Sequence, residues 1–371
     1  MKKTLLATTA IVLVAASASA VEVELYGQVN KGLFGFDDGL NNDVVVVDNA
    51  KSSTRFGLKG AQALDNGLTA SVLLEAEMNS NASDAFTQSG AILGSNAQTP
   101  ASAAAAGTNF KDRQARVGLS GNFGGVYLGM QSTAFDGVVM QDLAGAADVM
   151  DFAVQDIGGA AQFRGNTSTH TLSGISANTM VSGMDDSRAN SIRYDSPIFN
   201  GVQGRASIAQ GGDMDVGAYY DGGMGDFKVA GAVGAFFNND ANTVNANGIN
   251  AYYGASLSAK HTSGLGATVA YLTGDREQKA NGAEEGSTLY GKVGYTWDAF
   301  EVAADYSRNQ HWRTAGVLLA DDDMSSMGLA GQYNLADGVS VAALYRNFES
   351  DITATTHDDI ALYGVNMKVK F

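Results

Sequence analysis

Cysteine is absent from the 371-residue sequence, and proline occurs only twice. An exported chain of this size without disulfides must close its structure by hydrogen bonding and packing. A closed β-barrel does so, because closure leaves no strand edge. Proline removes a ladder donor and is confined to sheet edges and turns. Pro100 lies in a low-complexity stretch and Pro197 in a predicted turn, so neither interrupts a strand. Beyond residue 20 no segment approaches the ~20 apolar residues that a membrane helix requires. That does not exclude the membrane, since barrel strands alternate lipid-facing and lumen-facing residues and their average hydropathy looks soluble. The mean hydropathy of −0.07 fits either case. Basic residues are also scarce, 23 against 39 acidic ones, for a net charge of −16. This argues against nucleic acid as a partner, because phosphate binding needs a basic face.

Enzyme signatures are missing too. The four histidines, His170, His261, His311 and His357, show no metal-ligand spacing. Neither a nucleophile elbow nor a phosphate-binding loop occurs. No catalytic residue, cofactor or resident metal is therefore expected. The run Asp321-Asp322-Asp323 reads either as a solvated loop tip or as a site for a divalent cation, through which lipopolysaccharide phosphates could be contacted.

What is present begins with Lys2 and Lys3, an apolar stretch from Leu5 to Ala16, and Ala18-Ser19-Ala20. These are the three parts of a secretory signal peptide, expected over residues 1–20, with the barrel over 21–371. Glycine is abundant, at 46 residues. The last strand shows the repeating pattern most clearly. In Tyr363-Gly364-Val365-Asn366-Met367-Lys368-Val369-Lys370-Phe371 the odd positions are apolar and the even ones are Gly, Asn and Lys. That is period two, with a lipid face and a wet face. The same reading predicts strands over 22–35, 52–61, 67–78, 112–121, 125–133, 189–196, 202–210 and 214–222. It continues over 226–237, 249–261, 266–274, 287–297, 300–309, 325–335, 339–349 and 359–371. The fold expected is an all-β, 16-stranded antiparallel transmembrane barrel. Its connections alternate short Gly/Asn/Asp turns with longer polar loops, as in outer-membrane barrels with both termini on the periplasmic side. The connection 211–213 is too short for an outer loop, which puts a neighbouring strand boundary in question.

Several segments resemble Gram-negative general porins. They are Leu25-Tyr26-Gly27-Gln28-Val29, Ser53-Thr54-Arg55-Phe56-Gly57-Leu58-Lys59-Gly60 and Leu64-Asp65-Asn66-Gly67-Leu68-Thr69-Ala70. The most specific is Arg113-Gln114-Ala115-Arg116-Val117-Gly118-Leu119-Ser120 with Phe123-Gly124-Gly125-Val126-Tyr127-Leu128-Gly129. Asn190-Ser191-Ile192-Arg193-Tyr194-Asp195-Ser196-Pro197 follows, and the terminal Phe371 is similar to the signal read by the outer-membrane assembly machinery. The resemblance spans the chain after residue 20 in order and spacing. It implies a homotrimer in the bacterial outer membrane, with the third outer loop, here 134–188, folded into the lumen. It further implies that acids on that loop, Asp136, Asp142, Asp148, Asp151 and Asp156, face a basic cluster on the wall.

Strand parity gives candidates for that wall independently. With Phe56 and Leu58 outward, Arg55 and Lys59 face in. Outward Ile192 and Tyr194 put Arg193 inward, and outward Val202, Ala206 and Ile208 do the same for Arg205. Leu68, Ala70, Val72 and Leu74 outward put Glu75 in the lumen. A charge on the lipid face at midplane costs about 2–4 kcal/mol, which makes inward the expected side. Arg113 and Arg116 cannot both face in without a bulge. The resemblance favours Arg113 and parity from Val117 and Leu119 favours Arg116.

Opposed charges across a narrow aqueous slot would select solutes by size and charge. The expected function is thus passive diffusion of ions and small hydrophilic solutes, with mild cation preference from the excess of acid. Rival readings are a substrate-selective porin, a barrel acting as adhesin or receptor through its outer loops, or an outer-membrane enzyme. Ionic conductance and hydrolysis assays separate them.

Overall fold

The computed structural model describes residues 21–88, 110–166, 168–181, 188–239, 249–276, 285–312, 322–352 and 356–371. The expected signal peptide lies outside the described residues, as does Asp321. Among the described residues twenty strands occur in chain order: β1 (Glu22–Asp37), β2 (Asn42–Asp48), β3 (Arg55–Ala63), β4 (Thr69–Met78), β5 (Phe110–Gly121), β6 (Gly124–Ser132), β7 (Gln162–Gly165), β8 (Leu172–Ser176), β9 (Arg188–Asp195) and β10 (Val202–Ala209). They continue with β11 (Met214–Met224), β12 (Phe227–Phe237), β13 (Ile249–His261), β14 (Leu265–Arg276), β15 (Gly286–Trp297), β16 (Phe300–Gln310), β17 (Asp323–Ala336), β18 (Val339–Asp351), β19 (His357–Asp358) and β20 (Ile360–Lys370).

Sixteen of these form one closed antiparallel ring: β1, β3–β6, β9–β18 and β20. It closes where β20 pairs with β1, from Gln28 opposite Lys370 to Asp37 opposite Ala361. The periodicity-based strands match the ring strands to within a few residues. The doubtful connection is a real tight turn. Gly211 and Gly212 adopt φ of 99° and 93°, a region open to glycine, and the Asp213 carboxylate accepts a 2.9 Å bond from the Asn239 backbone.

Four strands, β2, β7, β8 and β19, were not anticipated. β2 pairs with the upper half of β1, while the lower half of β1 pairs with β3. Its core, Val44 to Val47, carries no alternation because both of its faces meet apolar surroundings. Val44 and Val46 point outward and exposed, whereas Val45 and Val47 are buried inside. β7, β8 and β19 form a separate small sheet.

The outward faces carry Leu, Val, Tyr and Phe, as a lipid-facing wall requires. Near the turn ends of β15–β17, the rings of Tyr295, Trp297, Phe300 and Tyr333 stack in a row, with adjacent centroids 4.5–5.7 Å apart. Such amphipathic rings belong at the membrane interface. Other aromatics near strand ends, Phe34, Tyr252 and Phe348, turn inward instead and are buried.

Their partners are the reason. The hydrophobic core lies inside the barrel, between the wall and the long segment after β6. Met150, Phe152, Ile157 and Phe163 of that segment pack with Phe34, Phe36, Leu344 and Leu362 of the wall. Within the same interior, Arg346 and Asp305 form a fully buried ion pair at 2.7 Å. Arg346 also donates to Ser326 Oγ at 2.7 Å, and Tyr290 Oη donates to Asp305 Oδ2 at 3.2 Å.

Close approach of loop to wall needs space at particular positions. A Cβ at Gly294 would stand 1.7 Å from the Ala144 carbonyl oxygen, and one at Gly217 would stand 2.5 Å from that of Ala134. Gly294→Val is therefore expected to push the loop off the wall at a cost of about 1–3 kcal/mol. A lowered thermal midpoint in detergent checks this; an unchanged one would mean that the loop does not rest there.

Candidate pore constriction

The chain turns inward immediately after β6. The backbone of Ala134 donates to Ser207 Oγ (2.7 Å), and that of Phe135 to Asp215 Oδ2 (3.2 Å). Tyr219 Oη donates to the carbonyls of Ala134 and Asp136. Farther on, Gln141 and Leu143 donate to Ser256 and Ser258, and the Ala146 backbone donates to Glu301 Oε2 at 2.6 Å. All these acceptors and donors lie on the lumenal face, so the loop crosses the interior wall strand by strand. The expected entry of the long loop into the lumen is what the fold contains.

Its acids are engaged along this path. Asp142 accepts from Lys292 Nζ (2.6 Å) and Thr268 Oγ1 (2.6 Å). Lys292 also donates to the Met150 carbonyl at 2.8 Å, and its side chain is fully buried. Asp148 pairs with Lys368 and Ser340, and its carbonyl accepts from Asn49 at 2.8 Å. Asp151 pairs with Lys51. Asp136 and Asp156 take part through their carbonyls, which accept from Tyr219 and Ser83. The partners of the middle three acids are thus lysines rather than the wall arginines. Of these, Lys292 and Lys368 were findable by parity, since both sit on the wet face of their strands. Lys51 lies in a turn of a 3₁₀ helix and carries no such signal.

The arginines occupy the other arc of the wall. Arg113 Nε bonds Glu75 Oε1 at 2.9 Å and its Nη1 bonds Glu77 Oε2 at 2.8 Å. Arg55 approaches Glu75 at 3.5 Å, and Tyr26 Oη donates to the same carboxylate at 2.9 Å. Glu77 was not among the anticipated residues. The choice between Arg113 and Arg116 resolves as both. Register slips between Glu75 opposite Gln114 and Ala76 opposite Asp112, leaving Arg113 as the extra residue of a bulge. A bulge re-aims one side chain without disturbing parity beyond it, so Arg116 also keeps its lumenal position.

Lower on the wall, Arg116 stacks over the Tyr127 ring at 4.4 Å, and Arg193 lies 5.5 Å from the same ring. Arg193 forks onto Asp195 with bonds of 2.9 and 3.0 Å. Arg205 stacks over Tyr219 at 4.1 Å and donates to Gln203. Lys59 is lumenal but stands apart from this group, close to Glu24 (3.2 Å) near the turn end of β3. Among the described residues no cluster of potential metal ligands occurs. Asp323 instead bonds Arg308 and Gln310 at 3.0 Å.

The model of the Gram-negative porin family matches residues 7–353. This chain belongs to the Gram-negative porins. It is accordingly a channel-forming barrel of the bacterial outer membrane. Among curated proteins none is similar enough in sequence to match. Among solved structures the porin is similar to the anion-selective porin from Comamonas acidovorans, at 17% identity and a TM-score of 0.63, covering 95% of this chain and 100% of that one. It is likewise similar to Salmonella typhi OmpF in complex with daunomycin, at 16% identity and a TM-score of 0.59, covering 95% and 98%. In vitro-folded OmpT of Vibrio cholerae, in its trimer form, shares 14% identity with a TM-score of 0.57 over 95% and 100%. At these identities the likeness is one of fold.

Proposed function

We propose that this porin forms a water-filled channel, as a homotrimer, for passive diffusion of ions and small hydrophilic solutes. The observation that carries the reading is the path of the long loop. It lies along the interior from β10 round to β20, leaving the arginine-bearing arc as the polar side of the passage. The trimer form of the Vibrio cholerae neighbour supports the homotrimer. So does an ion pair, Lys31 with Asp48, on the outward face of β1 and β2. Lys31 shares that face with the exposed Val29 and Leu33. A charge there is costly against lipid and fits a subunit contact better. Phe371 pairs its backbone with Gly27 in the finished barrel, which suits a terminal strand delivered by the assembly machinery. Lipid covers the outward wall, and lipopolysaccharide would meet the outer rim near Arg308.

Selectivity follows from placed charge more than from the total. The three engaged loop acids are matched by Lys51, Lys292 and Lys368, while the arginine arc carries more cations than carboxylates. This arrangement favours a weak anion preference. The excess acid of the whole chain supports the second reading, mild cation preference, by concentrating cations at the mouths. Reversal potential in a potassium chloride gradient across a planar bilayer decides between them by its sign. Steps closing in threes support the trimer. A folded, inserted barrel without conductance would overturn the diffusion reading and point to the outer loops as the functional surface.

A further inference from the structure

The lumenal wall of five neighbouring strands, β5, β6 and β9–β11, carries a strip of arginines and tyrosines: Arg116, Tyr127, Arg193, Arg205 and Tyr219. Its members differ in one respect. Arg193 is neutralised by its fork onto Asp195. Arg116 and Arg205 form no ion pair among the described residues, and Arg116 Nε is buried without a hydrogen-bond partner. Each of the two instead rests on a tyrosine ring, at 4.4 and 4.1 Å. Tyr219 is itself fixed by two bonds to the base of the long loop.

Stacking occupies the flat face of a guanidinium and leaves its edge N–H groups directed away from the ring. A fork of parallel N–H donors matches the two oxygens of a carboxylate or phosphate. A ring also keeps the side chain from folding back onto a wall carboxylate. Spherical chloride gains charge attraction from such a group but not the fork.

We propose that Arg116 and Arg205 are two oxyanion-binding steps on the channel wall, held edge-outward by Tyr127 and Tyr219, which make the porin retain carboxylates and phosphates in transit. This rests on the diffusion reading above. Arg55 and Arg113 do not share the role, because both are ion-paired: Glu75 and Glu77 occupy donors of Arg113, and Arg55 lies 3.5 Å from Glu75.

The test is single-channel recording of the full-length protein in potassium chloride, with inorganic phosphate or succinate added to one side. Both anions are expected to reduce the chloride current in a saturable way. The double variant R116Q/R205Q is expected to conduct and to lose apparent oxyanion affinity about tenfold, the scale of a lost charge-assisted bond. The variant R116K/R205K keeps the charge and removes the fork and the stack. It is expected to keep the sign of the reversal potential and lose the oxyanion block. Phosphate block without succinate block, or the reverse, would identify which source of the oxyanion the steps fit. Block unchanged in R116Q/R205Q, or fully retained in R116K/R205K, would overturn the proposal while leaving diffusion intact. Absence of conductance in the unmodified protein would instead overturn diffusion itself.

Discussion

Lys292→Met is expected to destabilise the porin by about 3–5 kcal/mol and to loosen the long loop. The lysine is buried, and it holds both the Asp142 carboxylate and the Met150 carbonyl. Removing one partner of a buried ion pair leaves the other charge uncompensated, which costs more than the pair contributed. Asp142 would keep only Thr268 Oγ1 and the Ala144 backbone as donors. The loop segment between them would move off the wall, and current noise would rise with it. Thermal unfolding in detergent measures the first effect and single-channel recording the second. Adding Asp142→Asn to Lys292→Met removes the stranded charge and is expected to recover most of the lost stability. An unchanged midpoint for the single variant would mean that Asp142 does not depend on Lys292.

The second large effect concerns Glu75 and Glu77. Together with Arg55 and Arg113 they form a group of zero net charge. The double variant Glu75→Gln/Glu77→Gln keeps acceptor oxygens for the guanidinium groups but leaves two positive charges facing water. A unit charge at ~4 Å contributes about 1 kcal/mol in bulk water, or roughly fivefold in local ion preference per charge. The anion-to-cation permeability ratio is therefore expected to rise severalfold, read from the reversal potential. A ratio that does not move would place this group away from the narrowest part of the passage.

The strands were legible because one face of nearly every strand meets lipid and the other meets water or polar wall. That contrast puts period two into the sequence, and it fixed the inward side of Arg55, Arg193, Arg205 and Glu75. Legibility failed where the contrast vanished. β2 reads as an unbroken valine run because its inner face meets a second apolar layer supplied by the long loop. Phe34 and Phe348 are buried against the same inner layer. Arg113 is the complementary case. Its side depends on a single bulged residue, and a one-residue insertion in register leaves no mark on composition or spacing.

By itself the sequence determined the barrel, its sixteen ring strands, the alternation of turns and loops, and the family. All of these depend on local periodicity or on residue order. Only the tertiary structure decided which charges neutralise one another. Asp142 meets Lys292 across 150 positions, and Asp148 meets Lys368 across 220. Such pairs are set by where a long loop comes to rest inside a closed ring. Closure brings strands distant in sequence to one interior, and electrostatics there follows distance in space, so the charge facing the passage cannot be read from the chain's total.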